Sequence, residues 1–304
     1  MFTPGLTRSF ELTVVVPVTL MAGRLNKLEE WLKIATGYPI QVLIIHDKRD
    51  IATGEQLATL VRHLNTEDIE VIEGKFGNPG TARNQGITKA SGKWITFWDS
   101  DDSPCVESVM SEIKEIPNSI EVIVGSFRKA DEYAGVISNW DKPRNLQHVA
   151  MNPGVWRMIF RTASIENSRF PALLMAEDQV FLSEFRLAER QIQFTSRGFY
   201  TYVIGNPEQL TKSKLALADL PRAMLKIGIR KSQVSNRQLK LDMFLISRQF
   251  LTSLRKATRD IKISAIVAIL RIVREKGWIS IFYLINSIAQ ISTEKFPWKM
   301  HEKQ

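Results

Sequence analysis

The sequence predicts an α/β fold: a mostly parallel sheet flanked by helices, followed by a helical C-terminal extension. Three observations carry this. Short apolar runs alternate with stretches of helical periodicity over the first hundred residues. The segments joining them are short. Beyond residue 210 the strand signal gives way to long, basic, helix-periodic segments. With 304 residues, 44% of them hydrophobic, the chain can bury a large core in one or two domains.

The elements follow in order. ELTVVVPV (11–18) reads as a buried strand that stops near Pro17, since proline suits a strand interior poorly. In RLNKLEEWLKIAT (24–36), Leu25, Leu28, Trp31 and Leu32 share one helical face. IQVLIIHD (40–47) is a second apolar strand, 54–64 a helix and IEVIEG (69–74) a short strand. GNPG forms a turn before TARNQGITKAS (81–91), a helix ended by Gly92, and KWITFWD (93–99) is the next strand. Strands separated by helices in this rhythm pair in parallel, and ligands then gather beyond the strands' carboxyl ends. Asp47 and Asp99 both fall there. Further on, 119–127 and 192–205 carry strand signal, 155–165 returns to order after a polar stretch, and 176–191 reads as one helix with acidic residues in its first turn.

The charge is unevenly spread. Residues 1–210 carry 22 basic and 26 acidic side chains, a balance of −4, whereas residues 211–304 carry 19 and 6, a balance of +13. This supports a division at residue 210 into an α/β domain (1–210) and a basic helical region (211–304). That region is expected to meet an anionic membrane surface or a second subunit in a homo-oligomer. No recognised nucleic-acid module accompanies the charge, so nucleic acid is not an expected partner. The single cysteine, Cys105, excludes an intrachain disulfide and a multi-cysteine zinc site. No run of 18 apolar residues suggests a spanning helix, and the first apolar stretch reads as a strand rather than a leader. A cytoplasmic location, peripheral to the inner face of the cell membrane, is the expectation.

The chemistry concentrates in WDSDD (98–102). Asp99, Asp101 and Asp102 crowd three carboxylates into four positions, and like charges so close raise one another's pKa. A divalent cation relieves this, since Mg²⁺ and Mn²⁺ take hard oxygen ligands. The same letters also describe a solvated turn capping a helix near Pro104. In GNPGTARNQG, Arg83 and Asn84 fall near a helix start. Arg83 can reach a base, a phosphate or a carboxylate such as Asp47 or Asp99, and Asn84 can reach a sugar. The glycine spacing is not that of a dinucleotide fingerprint. His46 reads as a strand-end histidine, His63 as solvent-facing, His148 as a weak candidate for sugar, diphosphate or metal contact, Trp98 as sheet packing and Cys105 as a buried thiol. Trp140 and Trp156 suit either stacking on a sugar or the core.

The strand VVVPV, the strand ending in His46-Asp47, GNPGTARNQGI, ITFWDSDD and AEDQVF stand in the order found in family 2 glycosyltransferases of the GT-A fold, which residues 11–205 resemble. That resemblance implies an inverting, metal-dependent transfer of a sugar from a nucleotide diphosphate sugar, by default a UDP-sugar, to a glycan or lipid-linked acceptor. It implies Mn²⁺ or Mg²⁺ as cofactor. Asp101 would coordinate the metal. Asp99 would lie near ribose or diphosphate and share in the metal site. Asp47 would contact the nucleobase above a floor shaped by Pro17 and Thr19. Arg83 and Asn84 would also face the donor, Asp178 would be the general base and Glu177 would support the acceptor. The sequence departs from the family pattern in places. The second strand usually ends in paired aspartates followed by Gly-Ser, and here reads His46-Asp47-Lys48-Arg49. Asp50 is a candidate replacement for an acidic residue usually one place further on. Val18 is followed by Thr19-Leu20 where Tyr-Asn is common. The Gln-x-x-Arg-Trp motif of processive members is absent, so a polymer-extruding synthase is not expected. A sugar-phosphate nucleotidyltransferase and a non-catalytic nucleotide-sugar or glycan-binding protein are the alternatives.

Overall fold

The structure, a computed structural model, describes residues 9–205, 213–230 and 232–293. Its described residues divide into two compact units. One draws on Met1–Pro143, Gly154–Arg169 and Gln191–Asn206, the other on Arg144–Pro153, Phe170–Arg190 and Pro207–Gln304. The expected boundary at 210 lies outside the described residues. Two segments that precede it in sequence pack with the C-terminal helices.

The first unit opens with β1 (Leu12–Val18), α1 (Asn26–Ala35), β2 (Ile40–Asp47), α2 (Ile51–Leu64), β3 (Ile69–Gly74), α3 (Pro79–Lys89) and β4 (Trp94–Phe97). All seven were legible in the sequence to within a few residues. Every residue of β1 but Pro17 is buried, as a strand covered on both faces requires. β2 pairs with β1 and β3, and β4 with β1, all in parallel. On α1, Leu28, Trp31, Leu32 and Ala35 form the buried stripe. Trp31 meets Trp98 edge to face at 5.1 Å, so Trp98 turns into the core as alternation predicts.

The chain continues through β5 (Ser103–Pro104), α4 (Val106–Glu115), β6 (Val122–Asp131) and β7 (Gly135–Val136). α5 (Leu146–Met151) leaves for the second unit. β8 (Met158–Arg161) and α6 (Thr162–Ile165) return to the first, α7 (Glu177–Glu184) leaves again, and β9 (Ile192–Ile204) closes the sheet. The strand order is β3-β2-β1-β4-β8-β6-β9-β5, with β7 beside β6. β8 runs antiparallel to β4 and β6, so the parallel character belongs to the β3-β2-β1-β4 half and to the β6–β9 pair. The polar stretch 128–154, which carries no clear sequence signal, holds the end of β6, β7 and α5.

The second unit contains α5, α7, α8 (Lys214–Leu217), α9 (Leu220–Gly228), α10 (Asn236–Lys256), α11 (Arg259–Lys276) and α12 (Trp278–Thr293). The single helix expected over 176–191 is only eight residues long. It stops because Arg186 adopts a left-handed conformation, φ 57°, and a 3₁₀ turn over Leu187–Glu189 follows. A buried polar cluster fixes α10. Asp242 accepts from Ser183 Oγ and from Gln238 Nε2, each at 2.7 Å, and faces Arg230 at 3.5 Å. Burial pushes the Asp242 carboxyl up to about 6, against the pull of Arg230.

Glycine decides how closely α3 lies on the sheet. A Cβ at Gly86 would sit 2.2 Å from Val15 Cγ1, inside any van der Waals contact. Gly86→Val is accordingly expected to lower stability by about 3 kcal/mol, read by urea unfolding, because the added carbons overpack a dense core. Unchanged stability would mean that α3 can lift from β1.

Candidate functional site

The carboxyl ends of β1, β2, β3 and β4 lie along one edge of the parallel half-sheet. Half-buried Pro17 lies near the end of β1 and exposed Thr19 follows it, Asp47 ends β2, and Asp99 and Asp101 follow β4. α3 begins at the same edge, after β3. Asn78 caps it by accepting from Thr81 N at 2.8 Å, Pro79 occupies the first turn, and Gly77 takes φ 73°. GNPG is thus a helix start that aims Arg83 and Asn84 from the first turns. Arg83 belongs to the inner face and is buried, whereas Asn84 is half-buried.

Arg83 Nη2 donates to Asp99 Oδ1 at 2.8 Å. Only 6% of the Arg83 side chain is exposed. A charge-assisted bond held away from water contributes about 1.5–3 kcal/mol, against about 0–1 for an exposed pair such as Lys93–Glu11. Of the partners the sequence allowed Arg83, the fold selects Asp99.

Asp47 is clamped more fully. Its Oδ1 accepts from Arg49 N at 3.2 Å and Nε at 2.8 Å. Its Oδ2 accepts from Arg49 Nη2 at 2.5 Å, Phe76 N at 3.2 Å and Gly77 N at 3.0 Å. These donors fill a carboxylate's roughly four lone-pair positions. The Arg49 bond first, then the backbone N–H groups, hold the Asp47 carboxyl well below the usual carboxylate range, against its burial. Arg49 sits at the place where the sequence departs from Gly-Ser. Asp50 caps α2, accepting from Thr53 N at 3.3 Å and from Leu20 N at 2.5 Å, so it braces the turn after β1.

The acidic turn itself is divided. Asp102 is buried. Its Oδ2 accepts from the Tyr200 hydroxyl at 2.8 Å and its Oδ1 from Val203 N at 2.6 Å, while the same hydroxyl accepts from Asp99 N at 3.0 Å. Burial, then the charges of Asp101 and Asp99, raise the Asp102 carboxyl well above its ordinary value. Asp102 is a structural anchor to β9. This leaves Asp99 and Asp101, both half-buried, as the turn's candidate ligands. Among the described residues no group of three or more His, Cys, Asp or Glu is arranged to hold a metal. Asp99 and Asp101 do not make an all-protein cage; two carboxylates would suffice for a cation that completes its shell with water and phosphate oxygens, as Mg²⁺ does.

Glu177 and Asp178 open α7 in the second unit, behind Ala176 at φ 64°. Glu177 is buried and Asp178 half-buried, with its Oδ1 accepting from Gln179 N at 2.7 Å. Asp178 also interacts with Arg248 of α10. Burial lowers the Arg248 guanidinium and the charge of Asp178 opposes that shift. Arg248 Nε donates to Met151 O at 3.0 Å. No sequence signal links positions 178 and 248, because the contact depends on how α7 packs on α10.

The remaining candidates are mostly structural. Trp156 stacks on Tyr200 at 4.7 Å and Tyr202 at 5.6 Å and meets Phe127 edge-on at 4.9 Å, so it belongs to an aromatic layer. Trp140 lies under Arg128, 4.8 Å from the ring centroid. His46 is buried, 3.3 Å from Val18 O, and His63 is exposed. His148 lies in α5, its N–H donating to the capping Asn145 at 2.9 Å. Cys105 is half-buried, not buried as expected, and its thiol donates to Ser108 Oγ at 3.1 Å.

The depressed Asp47 carboxyl sets a pH dependence. Its contribution to stability is present above the unfolded-state value of about 3.9 and is lost as pH falls through the lower folded-state value. Asp47→Asn is expected to be less stable than the parent at pH 7, with the gap closing toward pH 2. Urea unfolding across that range measures this, and a gap that does not narrow on acidification would remove the clamp's contribution.

The model described as "Glycosyl transferase family 2" matches residues 13–170, about half of the chain. Glycosyltransferase GlyA of Streptococcus pneumoniae serotype 4 is 23% identical over 217 residues, covering 64% of this chain and 30% of that protein. Uncharacterized glycosyltransferase EpsJ of Bacillus subtilis is 25% identical over 221 residues, covering 66% and 62%. The chain thus spans less than two thirds of either relative. Among solved structures, S. aureus TarS 1-349 in complex with UDP-GlcNAc superposes with a TM-score of 0.68 at 18% identity, over 93% of this chain and 90% of that one. Mannosyltransferase PcManGT of Pyrobaculum calidifontis, in complex with GDP-Man and Mn²⁺, gives 0.53 at 13% identity, over 95% and 83%. At such identities the structural likeness speaks for the fold alone. The match over 13–170 and the fold agree: this chain belongs to glycosyl transferase family 2 and has an α/β fold of the GT-A type with a helical C-terminal region.

Proposed function

We propose that this chain transfers a sugar, with inversion, from a nucleotide diphosphate sugar to a hydroxyl of a glycan or lipid-linked acceptor. The observation that supports this best is the set of polar side chains at one edge of the parallel strands. Asp47 is held by Arg49 and two backbone N–H groups, and Arg83 is paired with Asp99 beside Asp101. A UDP-sugar is the default donor. TarS was solved with UDP-GlcNAc and PcManGT with GDP-Man, so relatives of this fold accept different bases.

In this reading Pro17 and Thr19 form the floor under the nucleobase. A base N–H reaches Asp47 by taking the place of Arg49, whose side chain is 60% exposed and able to swing aside. Arg83 holds Asp99 so that its carboxylate meets the ribose or diphosphate in one orientation, and Asn84 faces the sugar. Asp101, with Asp99, would hold Mn²⁺ or Mg²⁺. When bound, such an ion stabilises the negative charge that develops on a departing diphosphate. The acceptor hydroxyl forms its bond to the anomeric carbon, the bond from that carbon to the diphosphate breaks with its electrons on the phosphate oxygen, and the hydroxyl proton passes to Asp178. Glu177 supports the acceptor.

Two measurements test this. Calorimetric titration with UDP, GDP, CDP and dTDP, each with and without Mn²⁺, is expected to show one metal-dependent nucleotide, and Asp101→Asn is expected to lose the metal dependence. Binding that ignores both Mn²⁺ and Asp101→Asn would reject the metal assignment. Asp178→Asn is expected to retain donor binding and lose about 10²–10⁴-fold in transfer rate, the usual contribution of a general base. Transfer at the parent rate would remove Asp178 from that role.

A further inference from the structure

The last two helices carry their apolar bulk outward. On α12 the buried positions are Ser280, Leu284, Ser287 and Ile291, two of them small and polar. Its exposed positions include Trp278 (86% exposed), Phe282 and Ile285, at i, i+4 and i+7, with Ile279 beside them. On α11 the buried positions are Ala265, Ala268 and Ile272, while Ile263, Ile266, Val267 and Leu270 are exposed. An ordinary surface helix places its large apolar side chains against the core and its small polar ones in solvent. Here both helices leave large apolar side chains in solvent, and on α12 two serines are buried in their place; exposed apolar faces of this kind mark an interaction site.

We propose that these outer faces seat the chain on an anionic lipid surface. Charge selects this occupant. α11 carries Arg259, Lys262, Arg271, Arg274 and Lys276 against Asp260 and Glu275, and α12 carries no charged residue. Residues 211–304 together stand at +13. A second copy would bring the same positive charge against itself, whereas anionic headgroups complement it. Arg222, which pairs with Asp219 at 3.3 Å, and Arg271 line a groove of about 450 Å³ together with Asp260, Ile263 and Val267, so charged and apolar side chains share one surface there. The described residues of α12 extend about 24 Å, against a hydrocarbon core of roughly 30 Å, and no described helix is long and apolar enough to cross a membrane. Such a helix lies along the interface with its apolar stripe in the acyl boundary. This inference stands apart from the proposed transfer reaction, because it uses none of the residues assigned to it.

The test is sedimentation of the full chain with phosphatidylcholine vesicles, with and without phosphatidylglycerol, at low and physiological salt. Expected are binding to the anionic vesicles, weakening with salt, and quenching of tryptophan emission by brominated lipid that Trp278→Phe reduces. The Arg271→Gln/Arg274→Gln variant should bind more weakly by about fivefold per arginine. The Leu270→Ser/Phe282→Ser variant should bind more weakly by at least about tenfold. Both variants change exposed side chains, and unaltered thermal unfolding confirms that each is folded. Absence of binding to anionic vesicles overturns the proposal, as does undiminished binding by the folded serine variant. A concentration-dependent dimer abolished by the same serine substitutions would also overturn it, placing a second copy on these faces.

Discussion

The hydroxyl of Tyr200 determines how the acidic turn is used. It donates to Asp102 and accepts from the backbone N–H of Asp99, so one buried group bonds both ends of the turn to β9. Val203 N completes the anchor on the other Asp102 oxygen. Leaving a buried carboxylate without these donors would cost several kcal/mol, so the turn has little freedom to rearrange. The consequence is a division of labour among three similar carboxylates. Asp102 is drawn inward and satisfied by the protein. Asp99 and Asp101 are left at the carboxyl edge of the strands, the place in an open α/β sheet where ligands gather.

Much of the fold was legible because β1 to β4 and α1 to α3 bury their side chains with clean periods, and short connections leave few topologies. The edge carboxylates Asp47 and Asp99 were legible for the same reason. Arg83 was legible as a partner of Asp99, but the donors that hold Asp47 and Asp102 were not. Asp102 and Tyr200 are 98 positions apart, and a tyrosine in the apolar run GFYTYVIG carries no mark distinguishing a buried anchor from a strand residue. Arg49 stands two places after Asp47, whereas the other donors, Phe76 N and Gly77 N, lie 29 and 30 positions away and carry no mark in the sequence. The break in α7 at Arg186 was hidden because no proline or glycine announces it.

The C-terminal helices show a different limit of pattern reading. Periodicity locates an apolar stripe but does not say whether the stripe faces the core or the solvent. For α1 the usual assumption holds. For α12 it fails, because Ser280 and Ser287 go inward with Leu284 and Ile291 while Trp278 and Phe282 go outward. Small inner side chains let helices approach closely, which allows α12 to pack on its neighbours without its largest residues. The inner contact is thereby separated from the outer one, and the outer face is left for another surface.

Charge balance along the strand edge bears on the proposed metal. The donor of the proposed reaction is an anion, and residues 1–210 stand at −4. Two arginines reach the edge, but each arrives with a carboxylate, Arg49 with Asp47 and Arg83 with Asp99. Each pair is close to neutral as seen from a few ångströms away; a base that took the place of Arg49 would free that guanidinium, whereas Arg83 stays with Asp99. Arg83, buried against Asp99, cannot leave its partner without stranding a charge away from water. In the proposed reaction a cation held by Asp99 and Asp101 would supply positive charge where the diphosphate's new charge forms.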